Sequence, residues 1–134
     1  MIVVDTSALV ALYLGEPEGP DFADIIDVAD EVYISVISRV ELVSVLCGRR
    51  VKADPQKVSG FIDGLNLTHV PVTTDGMARA IDALMRFGKG RHPAALNFGD
   101  CFAYALADEL GAALLYKGDD LGRTGIAPAW PSAT

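Results

Sequence analysis

Carboxylates are the side chains of this 134-residue chain whose placement invites chemistry. Asp5 closes a short apolar run, Glu41 lies one turn into a helical pattern, Asp100 stands at the start of another, and Asp119-Asp120 follow the last clear strand pattern. Each has a plain structural alternative. Ser38 and Glu41 have the spacing of a capping box, Asn97 and Asp100 can be read in the same way, and Asp119-Asp120 beside Gly118 is ordinary turn composition. Capping, however, does not require convergence, and one doubly wound topology brings all four points to a single sheet edge. Carboxylates within about 4 Å of one another repel by roughly 1 kcal/mol per pair in water, and by more in a lower dielectric. Such a cluster calls for a cation. Oxygen-only ligands, with neither His nor Cys in these motifs, select a hard ion, Mg²⁺ with Mn²⁺ as a substitute. Phosphodiester cleavage is the chemistry such a site suits, because a metal activates water and supports both phosphate and leaving oxygen in an in-line displacement.

The charge balance sets a condition on that reading. A formal net charge of −7 excludes a protein that holds nucleic acid by a broad basic surface, so any nucleic-acid chemistry must be local. Acidity by itself also serves solubility. With 51% apolar residues the chain has material for a real core, and one domain spanning residues 1–134 is expected. Its apolar stretches are far shorter than the ~20 residues of a bilayer crossing. Met1-Ile2-Val3-Val4-Asp5 carries an acid inside its apolar run and no basic region before it, which is unlike a signal peptide; a cytoplasmic location is expected. Cys47 and Cys101 lie far apart in apolar helical patterns, the usual setting of a buried free thiol.

The elements that must position the acids alternate. Ile2 to Val4 reads as a strand, followed by a helix carrying Leu9, Leu12 and Tyr13 that stops near Gly15 and Pro17. Asp21 to Ala29 reads as a helix and Val32 to Val36 as a strand. Ser38 is expected to open a helix with Val40, Leu42, Val43 and Leu46, and Pro55 another through about Leu65. Leu67 to Val72 is a third strand pattern, and Thr74 leads into a helix ended by the loop from Gly88 to Pro93. A last helix spans Phe98 to Leu110 with Gly111 as its stop, Ala113 to Tyr116 is a fourth strand, and a fifth is expected around Ile126. Short apolar strands alternating with helices imply an α/β fold, a three-layer α/β/α sandwich around a mostly parallel sheet. Ligands of such sheets gather beyond the carboxyl ends of the strands, where Asp5 stands.

Four segments, in order, carry a family resemblance: Val3-Val4-Asp5-Thr6-Ser7-Ala8, Ser35-Val36-Ile37-Ser38-Arg39-Val40-Glu41-Leu42, Leu96-Asn97-Phe98-Gly99-Asp100-Cys101, and Leu114-Leu115-Tyr116-Lys117-Gly118-Asp119-Asp120. Together they resemble the PIN-domain toxins of the VapC type across almost the whole chain. The resemblance implies a PIN-like fold and a metal-dependent endoribonuclease acting as the toxin of a type II toxin-antitoxin pair. Asp5, Glu41 and Asp100 match the family's acids. The general pattern places a fourth Asp two residues after a strand-end Thr, where this chain has Tyr116 and Gly118; Asp119 is the choice here and Asp120 the fallback. Related sequences continue with Phe and later Thr-Asp, whereas this one has Leu121 and Thr124-Gly125.

Asp5 and Asp100 are the expected Mg²⁺ ligands, with Glu41 and Asp119 orienting water or a second ion. Thr6 and Ser7 either position Asp5 or touch phosphate, and Ser7 could instead cap the following helix. Lys89, Arg91, His92 and Lys117 either supply the missing local positive charge or are solvated loop residues. Leu9, Leu12, Tyr13 and Phe22 serve a partner or pack in the core. The resemblance further implies a homodimer, an RNA substrate and a cognate antitoxin whose segment lies over the site, where an inserted Arg or Lys would suit an acidic pocket. Two other readings compete. A flavodoxin-like phosphotransfer or phosphatase domain would place a nucleophilic Asp after a middle strand, but the strand ending near Val36 is followed by Ile37 and Ser38. An inactive binding module would have no need of the full set of acids.

Overall fold

The structure, a computed structural model, describes residues 1–130. Four strands, β1 (Ile2–Val4), β2 (Val32–Ser35), β3 (Thr68–Val70) and β4 (Ala113–Leu115), form one parallel sheet in the order β3-β2-β1-β4. Six helices surround it: α1 (Thr6–Leu14), α2 (Gly19–Val28), α3 (Val36–Leu46), α4 (Pro55–Asp63), α5 (Thr74–Phe87) and α6 (Phe98–Leu110). This is the expected three-layer arrangement. The alternation of side chains along β1 divides the core. Ile2 and Val4 enter one cluster with Leu9, Phe22, Ile34 and Leu42, while Val3 enters the other with Ala83, Phe87, Leu96 and Tyr104. Both faces of the sheet are therefore covered, as apolar parallel strands require.

The order of the strands positions the site. β1 lies between β2 and β4, so the chain leaves β1 toward one side early and returns on the other side late. The carboxyl ends of β1 and β4 flank the point where strand order reverses, with Val4 in register with Leu115. Asp5 extends the pairing by donating its N–H to the Leu115 carbonyl at 2.9 Å.

Local signals account for most helix ends. Gly15 and Gly111 end α1 and α6 in the left-handed conformation (φ 67° and 63°), each returning its N–H to the preceding turn. Asp54 caps α4 with Pro55 at its first position, and α6 opens with the anticipated capping box of Asn97 and Asp100. Three boundaries differ from expectation. α3 starts at Val36, capped by Ser35, whose Oγ accepts the Ile37 N–H at 3.2 Å; Ser38 lies inside the helix. The β-branched Val36 continues the strand pattern in the sequence, yet the chain turns as soon as Ser35 can cap. α2 begins at Gly19 rather than Asp21, with Pro20 in its first turn. No fifth strand forms around Ile126 among the described residues. Leu114 instead pairs with Pro128 in a single bridge, exchanging hydrogen bonds with the Ala127 carbonyl and the Ala129 N–H, both at 2.9 Å. Pro128, lacking an N–H, cannot extend the ladder.

The amino-terminal apolar residues belong to the core. Leu9 and Phe22 are fully buried, Phe22 stacks edge-on against Trp130, and Tyr13 does so against Phe61. Among the described residues no helix is long and apolar enough to cross a membrane.

Candidate active site

Asp5 directly follows β1 and is the N-cap of α1. Its Oδ2 accepts hydrogen bonds from the Ser7 N–H at 3.0 Å and the Ser7 hydroxyl at 2.6 Å. The same hydroxyl accepts the Lys117 N–H at 2.9 Å, a link between residues 110 positions apart in the chain. Ser7 therefore fastens the carboxylate to the end of β4; it is not the cap of α1. Thr6 points elsewhere, donating its hydroxyl to the Ser38 carbonyl at 3.2 Å and tying α1 to α3 one turn before Glu41.

The remaining Asp5 oxygen, Oδ1, is buried and has no hydrogen-bond partner. Burial is the largest influence on this group and raises its pKa; the Ser7 bonds oppose the rise, and the charge of Glu41 reinforces it. A buried carboxylate oxygen left without a partner costs about 1–3 kcal/mol or more, so the position is one that a ligand would stabilise.

Glu41 reaches the site from the second turn of α3. Because Ser35 caps that helix, the capping-box reading of Ser38 and Glu41 does not hold, and no backbone role accounts for Glu41. Its carboxylate lies directly on Gly99: a Cβ added there would overlap it. Gly99 sits in the first turn of α6, where a helix favours negative charge through its free N–H groups and dipole. Sequence inspection did not single out Gly99. The available signal was a glycine inside a helix-opening segment, where it costs up to about 1 kcal/mol relative to Ala and so invites a reason for its presence.

Asp100 completes the group and keeps its structural role as well. Its Oδ2 accepts the Asn97 N–H at 3.2 Å while Asn97 Oδ1 accepts the Asp100 N–H at 2.9 Å. Burial, and then the charge of Asp5, push its pKa up to about 7, against the pull of the Asn97 hydrogen bond; Glu41 and Asp120 add to the rise. Three acids thus share one electrostatic neighbourhood; neither Asp119 nor Asp120 lines their cavity, and of the two it is Asp120 whose charge adds to the rise at Asp100. Asp119 acts instead on the Tyr116 hydroxyl and lines a separate cavity with Tyr116, Gly122 and Arg123.

Asp5, Glu41 and Asp100 line a cavity of about 440 Å³ that opens to solvent, with Ser7, Asn97 and Lys117 on its walls. Among the described residues, no three acids are drawn together tightly enough to enclose an ion. A hard ion such as Mg²⁺ does not need a closed protein cage, since it retains several waters and takes one or two carboxylates. The oxygen-only donors, the partnerless Oδ1 of Asp5 and the Gly99 cradle under Glu41 fit such an ion. Of the expected loop cations, Lys117 lies on the cavity wall; Lys89, Arg91 and His92 do not line it. His92 Nδ1 accepts the Ala94 N–H, which orders its own loop.

A profile of the PIN domain matches residues 2–127. A VapC ribonuclease of Rhizobium meliloti is 38% identical to this chain, covering 94% of it and 99% of the relative. Ribonuclease VapC28 of Mycobacterium tuberculosis is 37% identical over 93% of this chain and 95% of its own length. Among solved structures, the sarcin-ricin-loop-cleaving toxin VapC20 of Mycobacterium tuberculosis superposes with a TM-score of 0.75 at 20% identity, covering 98% of this chain and all of that one. A toxin-antitoxin complex from Klebsiella pneumoniae gives 0.71 at 16% identity, covering 97% of this chain and 98% of its own. The chain belongs to the PIN-domain family, in its VapC branch.

Proposed function

We propose that this protein is a Mg²⁺-dependent endoribonuclease, the toxin of a type II toxin-antitoxin pair, that hydrolyses RNA at Asp5, Glu41 and Asp100. The observation that carries the proposal is the convergence of three acids from β1, α3 and α6 on one cavity, with Asp5 Oδ1 buried and unpartnered. VapC membership supports the substrate class, since the relatives are named ribonucleases.

Asp5 and Asp100 are the residues to hold the ion, Mg²⁺ or Mn²⁺ in its place, and a divalent ion there supplies Lewis acidity to an attacking water and to the phosphate. Ser7 orients Asp5 through two hydrogen bonds to Oδ2, which leaves Oδ1 without a partner. Asn97 orients Asp100 through the capping box. Glu41, free of any backbone duty and set over Gly99, would orient the attacking water. Asp120 serves as the fourth acid in preference to Asp119, because its charge is the one felt by Asp100. The cognate antitoxin, the homodimer and the cytoplasmic location belong to the same proposal and rest on VapC membership.

The test is incubation of the free protein with total RNA, with and without Mg²⁺, followed by mapping of the cut ends. Mg²⁺-dependent cuts by attack of water leave no cyclic phosphate. Cleavage that persists in chelator and leaves cyclic phosphate ends would mean that the neighbouring ribose hydroxyl attacks without a metal, and the proposal would fall.

A further inference from the structure

Lys117 is the one cation among the described residues that line the acidic cavity, and it is held in a particular way. Its Nζ donates to Glu16 Oε2 at 3.0 Å and lies 3.2 Å from Glu18 Oε2, both on the connection between α1 and α2. Its backbone N–H is bound to the Ser7 hydroxyl that also holds Asp5. The backbone of Lys117 is thus fixed to the same hydroxyl as the candidate metal ligand, while its ammonium is held by two glutamates, of which Glu16 also lines the cavity.

This arrangement is unlike a simple surface ion pair. One ammonium faces two carboxylates, so the trio carries a surplus negative charge beside a cavity that Glu16 and Lys117 line together with Asp5, Glu41 and Asp100. An RNA strand entering that cavity brings further negative charge, and the metal alone would have to offset it. An ammonium has three N–H donors, of which the glutamates engage two. The third is left for another acceptor. All three side chains are partly open to solvent, where ion pairs are weakly held and exchange readily. The glutamates also raise the Lys117 pKa, keeping it charged wherever RNA is bound.

We propose that Lys117 is the phosphate anchor of the substrate strand, held beside the acidic cavity by Glu16 and Glu18 and shared with, or surrendered to, a backbone phosphate of RNA on binding. The inference rests on the ribonuclease reading above. It assigns Glu16 and Glu18 as competitors for the same ammonium, so that they weaken RNA binding while keeping the cation in reach. The alternative is that the trio only staples the α1–α2 connection to the end of β4.

Binding of a cleavage-resistant oligoribonucleotide across a salt series separates the two, with cleavage of RNA by the unmodified protein in Mg²⁺ read in parallel. An anchor contributes one phosphate contact, so Lys117→Ala should flatten the slope of log affinity against log salt by about 0.7 and weaken binding several-fold. Lys117→Arg should restore most of the slope, and the double variant Glu16→Gln/Glu18→Gln should bind RNA more tightly than the unmodified protein. A staple predicts the opposite pattern: Lys117→Ala and the double glutamine variant lose thermal stability together, and neither changes the salt slope. That result, alongside normal cleavage by the unmodified protein, overturns the anchor and leaves the ribonuclease reading standing. If the unmodified protein neither binds nor cleaves RNA, both fall.

Discussion

Asp100→Asn keeps the capping box of α6, because an asparagine oxygen can still accept the Asn97 N–H, and it removes the charge. In the metal-free protein the folded state holds the Asp100 proton up to about pH 7, whereas an ordinary Asp releases it near 3.8. The folded state therefore binds more protons in that window, and stability falls as pH rises from 3.8 to about 7, with no further loss above. The full displacement corresponds to roughly 4 kcal/mol at 1.36 kcal/mol per decade, and about two thirds of it falls between pH 5 and pH 8. Solvent reaches one side of the carboxyl, which reduces the expected effect in that interval to about 1 kcal/mol. Urea unfolding in chelator at pH 5 and pH 8 measures it. The native protein should lose about 1 kcal/mol more than Asp100→Asn on going to pH 8, and saturating Mg²⁺ should restore the native protein while leaving the variant unchanged. Equal pH dependence of the two proteins, or a larger loss in the variant, would refute the account of Asp100 as an acid strained by burial and by Asp5.

Other perturbations test the neighbouring residues. Gly99→Ala should melt within about 1 kcal/mol of the native protein, since Ala favours the helix, yet lose ten- to a hundred-fold in RNA cleavage because the new methyl displaces the Glu41 carboxylate; unfolding and single-turnover rates are read together. Ser7→Ala removes two hydrogen bonds from the site, the one the hydroxyl donates to Asp5 and the one it accepts from the Lys117 N–H, and should cost about 1–3 kcal/mol in denaturant titration. The same variant, with the Asp5 pKa raised further, should move the acid limb of the pH–rate profile to higher pH. Asp120→Asn should shift that limb to lower pH, whereas Asp119→Asn, facing the other cavity, should leave it in place.

The parts of the fold governed by short-range signals were legible in the residues. α6 begins and ends where Asn97 and Gly111 place it, and the alternation of Ile2, Val3 and Val4 between two clusters follows from strand geometry. Asp5 at the end of β1 and Asp100 at the start of α6 were legible for the same reason. What was hidden depended on choices between equivalent local signals or on contacts distant in sequence. Ser35 and Ser38 are both plausible caps, and only the turn of the chain at Ser35 releases Glu41 from a capping role. The choice between Asp119 and Asp120 depends on how the loop runs after Gly118, which has φ 98°. The bond from Lys117 to Ser7, the packing of Glu41 on Gly99 and the clasp of Lys117 by Glu16 and Glu18 join segments that no local pattern connects.

Calorimetric titration with Mn²⁺ of the native protein and of Asp5→Asn, both shown to be folded, is the most direct test of a metal-centred site. A metal-centred site gives saturable binding to the native protein, weakening as pH falls below about 7 where Asp100 takes up its proton, and loss of that binding in Asp5→Asn. Equal binding by the two proteins, or none by the native protein at any pH at which it is folded, would contradict it.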